Sequence, residues 1–150
     1  MRPDRQLYLA GAISAGRGAA PRLAAIARAA ARAGWVVLST PVVDPAADFA
    51  DTGPDRARRI FARDMDWIGA SDALIAEISV PSLGVGFEIG EALRLGRPTL
   101  CLRDAALVDV LPSAMIVGNP SPLLTVRHCD EAGIAAVVAE FLAGPALAAG

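Results

Sequence analysis

The chain has 150 residues, 54% of them hydrophobic and 20% charged, which indicates one globular domain over residues 1–150 and excludes a disordered chain. Its net charge is −2 and its fourteen basic residues are all arginines scattered along the sequence, so a nucleic-acid polymer is not expected as a partner. No apolar run approaches the roughly 18–20 residues that cross a bilayer, and we expect a cytoplasmic protein that does not bind a membrane.

Short apolar segments alternate with amphipathic ones along most of the chain. Strands are predicted where the apolar residues are contiguous, and helices where they recur every three or four positions. Residues 40–54 show no period and are predicted to be a loop, and the tail after about residue 143 is predicted to be frayed. In chain order, the predicted elements are a strand at 6–11, a helix at 19–34, strands at 35–39 and 72–79 on either side of a helix at 55–71, a helix opening within 81–93, strands at 98–102 and 123–129, and a helix at 131–144.

This alternation predicts an α/β fold in which a doubly wound, flavodoxin- or Rossmann-like sheet of five parallel strands carries helices on both faces. Such sheets bind ligands beyond the carboxyl ends of their strands, at the point where the strand order reverses. In a flavodoxin-like order that point lies between the first and third strands. The loops that follow these strands, "GAISAGRG" (11–18) and "SVPSLGVG" (79–86), are the most glycine-rich in the chain. We therefore expect the functional site between them.

Glu88 is the first candidate residue at this edge of the sheet. At about 100° per residue, Val85, Ile89, Ala92 and Leu93 form an apolar stripe, and Glu88 falls on its edge. Near a helix start the carboxylate is favoured by the helix dipole, and the N–H groups of the same loop could hold a phosphate. An ionised carboxylate beside such a loop suits nucleophilic attack on a sugar carbon. The alternative is a solvated glutamate that only completes the first turns of the helix.

Breaking a glycosidic bond also needs a group that protonates the departing base. The helix at 55–71 is predicted to turn Ile60, Phe61, Met65 and Ile68 inward, and Asp64 lies near that buried side. The alternative for Asp64 is a solvated helical aspartate. Tyr8, the one tyrosine of the chain, lies in the first strand near its carboxyl end, where it either directs its phenol into the crevice or packs with its hydroxyl satisfied.

Other residue types point to no further chemistry. His128, Cys101 and Cys129 have no partners at metal-ligand spacing, so no metal is expected, and the cysteines are predicted to be small buried side chains in a reducing compartment. The segment "GAISAG" (11–16) is not a dinucleotide fingerprint, because no acidic residue ends the second strand. A nicotinamide cofactor is therefore not expected.

Three segments carry a resemblance to a known family. "YLAGAISAGR" (8–17), "RDMDWIGASDALIAEISVPSLGVGFEIGEALRLGRPTLCL" (63–102) and "LPSAMIVG" (111–118) resemble, in this order, the 2′-deoxynucleoside 5′-phosphate N-hydrolases of the nucleoside 2-deoxyribosyltransferase superfamily. The resemblance implies that a deoxynucleoside 5′-monophosphate is hydrolysed to a free base and 2-deoxyribose 5-phosphate, without a metal or an organic cofactor.

The resemblance also implies roles for individual residues. Glu88 would be the nucleophile that forms a covalent glycosyl-enzyme intermediate, Asp64 the acid that protonates the base, and Tyr8 the phenol that orients Glu88 and the sugar. Ser113 would reach the phosphate bound by the neighbouring subunit, which implies a homodimer with shared active sites. The positions implied to bind the nucleotide and its phosphate within the chain are Gly11, Ile13, Ser14, Gly16, Arg17, Ser82 and Gly84.

One departure from the family leaves the substrate open. The family's first loop often carries an arginine where this chain has Ser14, and Arg17 is the candidate to replace it. The base preference, the phosphate affinity and the pathway, whether nucleotide sanitation or biosynthesis, are therefore not assigned.

Three alternatives to the deoxynucleotide hydrolase remain. The first is a ribonucleotide N-glycosidase of the CMP or hydroxymethyl-CMP type from nucleoside-antibiotic biosynthesis; by resemblance, Tyr8 favours the deoxy sugar because ribo-preferring members carry phenylalanine there. The second is a nucleoside deoxyribosyltransferase, against which the phosphate positions Ser82 and Ser113 argue. The third is a nucleotide-binding module without turnover, against which the set of Tyr8, Asp64 and Glu88 argues.

Overall fold

The computed structural model describes residues 4–12, 17–39 and 53–148. Strands and helices alternate through most of them, with short 3-10 helices at Arg17–Ala19 and Ala105–Leu107. The strands are β1 (Arg5–Ala10), β2 (Trp35–Val37), β3 (Ala73–Glu77), β4 (Thr99–Asp104) and β5 (Leu124–Cys129), and the helices are α1 (Ala20–Arg32), α2 (Arg56–Ala70), α3 (Leu83–Arg94), α4 (Ala114–Val117), α5 (Ile134–Leu142) and α6 (Pro145–Ala148).

The strands form one parallel sheet in the order β2-β1-β3-β4-β5. β1 lies between β2 and β3, with Gln6 opposite Val36 on one side and Tyr8 opposite Leu74 on the other. The chain order reverses at the pair of β1 and β3, and this is where a crevice opens in doubly wound sheets. The predicted parallel α/β fold is confirmed.

Side chains of successive strand residues enter two separate cores. In β1, Leu7 and Leu9 pack on the face covered by α1 and α5, whereas Tyr8 and Ala10 pack on the face covered by α2 and α3. This alternation is the period of two that a strand imposes on its side chains. It places Tyr8 on the same side of the sheet as Glu88 of α3.

The apolar stripe predicted for α3 is confirmed, since Val85, Ile89 and Ala92 are buried. The stripe predicted for α2 is wrong at Phe61, which is 56% exposed and whose ring centroid lies 6.0 Å from that of Phe87. The helical period predicts on which face of α2 the Phe61 side chain lies. It does not predict whether a neighbouring element covers that face.

The carboxyl-terminal end also differs from the prediction of a frayed tail. Residues 145–148 form α6, and the Leu147 N–H donates to the Gly144 carbonyl over 3.0 Å. Leu147 is buried in the same core as Val138 and Leu142 of α5, so burial of one leucine holds the last turn in place. The predicted loop at 40–54 lies, up to residue 52, outside the described residues. In the part of the chain that is described, no helix is long and apolar enough to cross a membrane.

Candidate active site

Tyr8 and Glu88 meet at the carboxyl end of the sheet. The phenol of Tyr8 donates a hydrogen bond of 2.9 Å to Oε1 of Glu88. The Tyr8 side chain is almost entirely buried, so this bond satisfies a hydroxyl that has lost its water. The phenol of Tyr8 therefore lies against the candidate nucleophile, and the same hydrogen bond satisfies its hydroxyl.

The local sequence of α3 explains how Glu88 comes to this place. Ser82 begins the helix as its N-cap, and its hydroxyl accepts the N–H of Val85 over 3.3 Å. A Cβ added at Gly84 would lie 3.8 Å from Oγ of Ser82, and one added at Gly86 would meet no described atom within 4 Å. Packing within the described residues therefore does not require these two glycines. Their open surface is available to a ligand, as the sequence predicts.

Gly11, in contrast, is explained by the fold itself. A Cβ at this position would come within 2.5 Å of Cδ2 of the buried Leu23 of α1. The glycine lets α1 pack closely against the loop that follows β1. Among the other candidates of this loop, Ile13, Ser14 and Gly16 lie outside the described residues, and Arg17 begins the 3-10 helix before α1.

Asp64 lies on α2 in direct contact with Arg63. Nε and Nη2 of Arg63 are each 2.9 Å from Oδ1 of Asp64, and the Asp64 side chain is 17% exposed. The guanidinium carbon of Arg63 also lies 4.8 Å from the ring centroid of Trp67. Asp64 is thus held in a partly buried ion pair and is not the freely solvated aspartate of the alternative interpretation. The sequence reasoning missed Arg63, although a cation directly before the candidate acid was a visible signal.

The surroundings make Glu88 a weak acid. Its pKa is raised to about 7, mainly by burial and in part by repulsion from Asp64, while the hydrogen bond from Tyr8 and the positive charge of Arg63 act in the opposite direction. Near neutral pH, Glu88 therefore exchanges between its charged and neutral forms. This is the range in which a carboxyl group can serve as a nucleophile and still respond to a bound substrate.

The pKa of Tyr8 is shifted in the same direction as that of Glu88. Burial raises the pKa of its phenol far above the ordinary range, and the negative charge of Glu88 adds to this effect. The phenol therefore keeps its proton at physiological pH. Its role in the site is to donate a hydrogen bond, which favours the charged form of Glu88.

A buried polar network fixes the loop between β3 and α3. Glu77, which is 1% exposed at the end of β3, accepts Nε of Arg22 over 3.1 Å and the N–H and hydroxyl of Ser79. Oγ of Ser79 in turn accepts the N–H of Asp104 over 2.8 Å. Because a buried carboxylate is tolerated only when it is paired, this network ties the start of the candidate phosphate loop to α1 and β4.

Ser113 lies at the surface, at the start of α4. Its hydroxyl accepts the N–H of Met115 over 3.3 Å. The segment before it is held by the buried Arg103, whose Nη1 donates to the carbonyls of Leu107, over 2.9 Å, and Val110. Within one chain Ser113 therefore serves as an exposed helix cap.

The remaining candidates for chemistry are accounted for by the fold. Cys101 is fully buried, and burial raises the pKa of its thiol to about 12, so it is unreactive. Cys129 is partly buried and its carbonyl accepts Nη1 of Arg22 over 3.0 Å. His128 is exposed on β5. Among the described residues, no three His, Cys, Asp or Glu side chains are grouped so that they could hold a metal ion.

The sequence from β1 to α4 matches a known family model. The model for nucleoside 2-deoxyribosyltransferases covers residues 7–118, a range that includes Tyr8, Asp64, Glu88 and Ser113. The chain belongs to the nucleoside 2-deoxyribosyltransferase family. The family membership expected from the three sequence segments is confirmed.

Curated relatives within this family extend over most of the chain. A Methanosarcina mazei protein provisionally named 2′-deoxynucleoside 5′-phosphate N-hydrolase 1 is 37% identical over 139 residues, which are 92% of this chain and 84% of the relative. The 5-hydroxymethyl-dUMP N-hydrolase of Rattus norvegicus is 38% identical over 115 residues, 75% of this chain and 68% of that protein.

A solved structure shares the family architecture. The CMP N-glycosidase of Clostridium botulinum matches with a TM-score of 0.60 over 89% of this chain and 97% of that chain. The two sequences are 20% identical, so this likeness shows the fold and no more.

Proposed function

We propose that this chain is an N-glycosidase that hydrolyses the bond between base and sugar in 2′-deoxynucleoside 5′-monophosphates. The products are the free base and 2-deoxyribose 5-phosphate. The observation that carries the proposal is the hydrogen bond of 2.9 Å from Tyr8 to Glu88, which presents a half-buried carboxylate at the switch point of the sheet. The names of relatives that are 37% and 38% identical to the chain over the aligned residues support the same substrate class.

In the first step, the Glu88 carboxylate attacks C1′ of the sugar while the bond from C1′ to the base nitrogen breaks. The electron pair of that bond leaves with the base, which takes a proton from Asp64. In the second step, Asp64 removes a proton from water, the water oxygen attacks C1′, and the ester to Glu88 breaks. Both carboxyl groups return to their starting forms.

The electrostatics of the site disfavour a charge on both carboxyl groups at once. The negative charge of Asp64 raises the pKa of Glu88. The reaction needs a proton on Asp64 and a charge on Glu88. The phenol of Tyr8 favours this distribution because it donates to Glu88 and stabilises its charged form.

The phosphate of the nucleotide would bind at the start of α3, beside Ser82 and Gly84. The first N–H groups of a helix have no partner inside the helix, and the helix dipole favours an anion there. The Ser79–Glu77 network holds this loop in place before any ligand arrives. Binding energy from the phosphate can then be used to align C1′ with Glu88.

We further propose that the site is completed by a second copy of the chain. Large apolar side chains are exposed on α3 and on the segment that carries Ser113, with Leu83 97%, Leu111 92% and Met115 81% exposed, and Phe87 on the same helix as Leu83. Exposed apolar surface of this kind marks interaction sites. A second copy placed on it would bring its Ser113, which lies between Leu111 and Met115, towards the phosphate of this chain.

The function is tested by measuring release of free base from deoxy- and ribonucleoside 5′-monophosphates, each beside its unphosphorylated nucleoside. The panel includes 5-hydroxymethyl-dUMP and the unmodified pyrimidine and purine nucleotides. We expect release from deoxynucleoside monophosphates only, and the fastest substrate identifies the preferred base. The Glu88→Gln variant is the control, because it keeps the hydrogen-bond acceptor for Tyr8 and removes the nucleophile.

Other outcomes of the same assay decide between the alternatives. Release from ribonucleotides alone would contradict the use of Tyr8 as a marker of the deoxy sugar. Release from free nucleosides, with transfer of the sugar to an added second base, would identify a deoxyribosyltransferase. Nucleotide binding without any release, unchanged in Glu88→Gln, would identify a binding module.

A further inference from the structure

Arg63 places a positive charge beside Asp64 at the candidate site, and neither the family resemblance nor the names of the relatives assign it a role. It precedes Asp64 on α2, and its Nε and Nη2 both lie 2.9 Å from Oδ1 of that carboxyl group. Two N–H groups of one planar guanidinium therefore converge on a single carboxylate oxygen and hold it in place. A lysine could supply the charge but could not reproduce this fork.

Trp67 holds Arg63 itself. Its ring lies one helical turn further along α2, 4.8 Å from the guanidinium carbon, and packs against the core that contains Tyr8. Stacking on an aromatic ring restricts the rotamers of the arginine. The Arg63 side chain is only 30% exposed, so its interactions are less screened by water than those of a surface arginine.

The charges of the site show what Arg63 is needed for. Among the described residues, the charged and titratable groups that act on Glu88 are Tyr8 from β1 and Asp64 and Arg63 from α2. Burial and the negative charge of Asp64 both work against a charged Glu88, while Tyr8 supplies a hydrogen bond and Arg63 a compensating charge. Two carboxyl groups that face one crevice repel each other, and a cation beside one of them lowers that repulsion.

We propose that Arg63 is a positioning residue of this site, which holds the Asp64 carboxyl in place by contact and supplies a positive charge that favours the ionised form of Glu88. The two parts of this role are separable. The charge acts on Glu88 at a distance, whereas the fork acts on Asp64 through contact. Only the kinetic part of the proposal rests on the proposed N-glycosidase function.

The experiment compares Arg63→Gln, which removes charge and fork, with Arg63→Lys, which keeps the charge. Arg58→Gln is the matched control, since Arg58 is exposed on the same helix. The first measurement is the pKa of Glu88, determined by an NMR titration of protein whose five glutamates carry a 13C label at the carboxyl group. The Glu88 signal is assigned as the one that is missing in Glu88→Gln. We expect a higher pKa than in the wild type for Arg63→Gln, and the wild-type value for Arg63→Lys and Arg58→Gln.

The second measurement is kcat for base release. A misplaced acid costs roughly tenfold to a hundredfold in rate, so we expect such a loss in both Arg63 variants and none in Arg58→Gln. A wild-type Glu88 pKa or a wild-type kcat in Arg63→Gln overturns the proposal. Failure of the proposed function is recognised separately, because the wild type would then release no base, while the NMR titration would still confirm or refute the effect of Arg63 on Glu88.

Discussion

The phenolic oxygen of Tyr8 and Oε1 of Glu88 lie 2.9 Å apart, although 80 positions separate the two residues in the chain. Tyr8 lies on β1 and Glu88 on α3, the helix that follows β3. The parallel pairing of β1 with β3 therefore places the two side chains beside each other. Burial of this pair explains why Glu88 is a weak acid and why Tyr8 stays protonated. The testable consequences concern the reactivity of Glu88, its titration and the second copy of the chain.

A covalent intermediate on Glu88 should be detectable by mass spectrometry. In Asp64→Asn no group remains to activate water, so the ester should break down slowly. With a substrate whose leaving group needs no proton, such as 4-nitrophenolate on C1′, we expect a deoxyribosyl-phosphate adduct on the peptide that contains Glu88. The double variant with Glu88→Gln should carry no adduct. An adduct on a different residue would refute Glu88 as the nucleophile.

Replacing Tyr8 with phenylalanine should slow catalysis and shift its pH dependence. The change removes the hydrogen bond that lowers the pKa of Glu88, so this pKa should rise above its value of about 7. A hydrogen bond to a charged group contributes about 1.5–3 kcal/mol, which corresponds to a loss of roughly tenfold to a hundredfold in kcat/KM at neutral pH. The acid limb of the kcat/KM profile should move to higher pH, because Glu88 must be ionised to attack.

An unchanged acid limb in Tyr8→Phe would contradict the role given to the phenol. Denaturation in urea should accompany the kinetics, since Tyr8 is buried in the core between the sheet and α3. A loss of activity that follows a loss of folded protein would not count as support.

Glu88 should make the folded protein less stable as the pH rises. Its pKa is about 7 in the folded chain and 4.5 in the reference state, so the folded chain binds the proton more tightly. The stability that this proton provides is complete below pH 4.5 and is lost as the pH rises through 7. Between pH 5 and pH 8, the free energy of unfolding should fall by about 2–3 kcal/mol more in the wild type than in Glu88→Gln.

Urea denaturation of both proteins at the two pH values measures this difference, and other titrating groups cancel in the comparison. Glu91→Gln is the control on the same helix. Glu91 pairs with Arg94 at the surface, which lowers the pKa of its carboxyl, so its removal should leave the fall between pH 5 and pH 8 as in the wild type. Equal pH dependence in the wild type and Glu88→Gln would show that Glu88 titrates as an ordinary solvated acid.

Two inactive variants should complement each other if Ser113 serves the site of the neighbouring subunit. Ser113→Asp places a negative charge against the phosphate and keeps a side chain that can cap α4. In a hybrid dimer with Glu88→Gln, one site then combines an intact Glu88 with an intact Ser113. After random exchange of subunits, about a quarter of the sites should be active. Confirmed exchange without any return of activity would refute the shared site.

The layout of the fold could be read from the sequence because its signals are local. Each strand is a short apolar run, the four long helices repeat their apolar residues every three or four positions, and the glycine-rich loops mark the carboxyl ends of β1 and β3. The four-residue helices α4 and α6 are too short to show such a period and were not predicted. These features fix the type of each element without reference to distant residues. Phe61 shows the limit of such signals, since its position on the helix was predicted correctly but its burial was not.

The parallel α/β architecture, the family and the candidates Tyr8, Asp64 and Glu88 could be predicted from the amino-acid sequence. The folded structure was needed to show that Tyr8 donates to Glu88, that Asp64 is held by Arg63, and that the pKa of Glu88 lies close to 7, mainly because of burial. The reason is that hydrogen bonds, ion pairs and desolvation depend on distances of a few ångströms between segments far apart in the chain. Those distances follow from strand register and helix packing, which a periodic pattern does not encode.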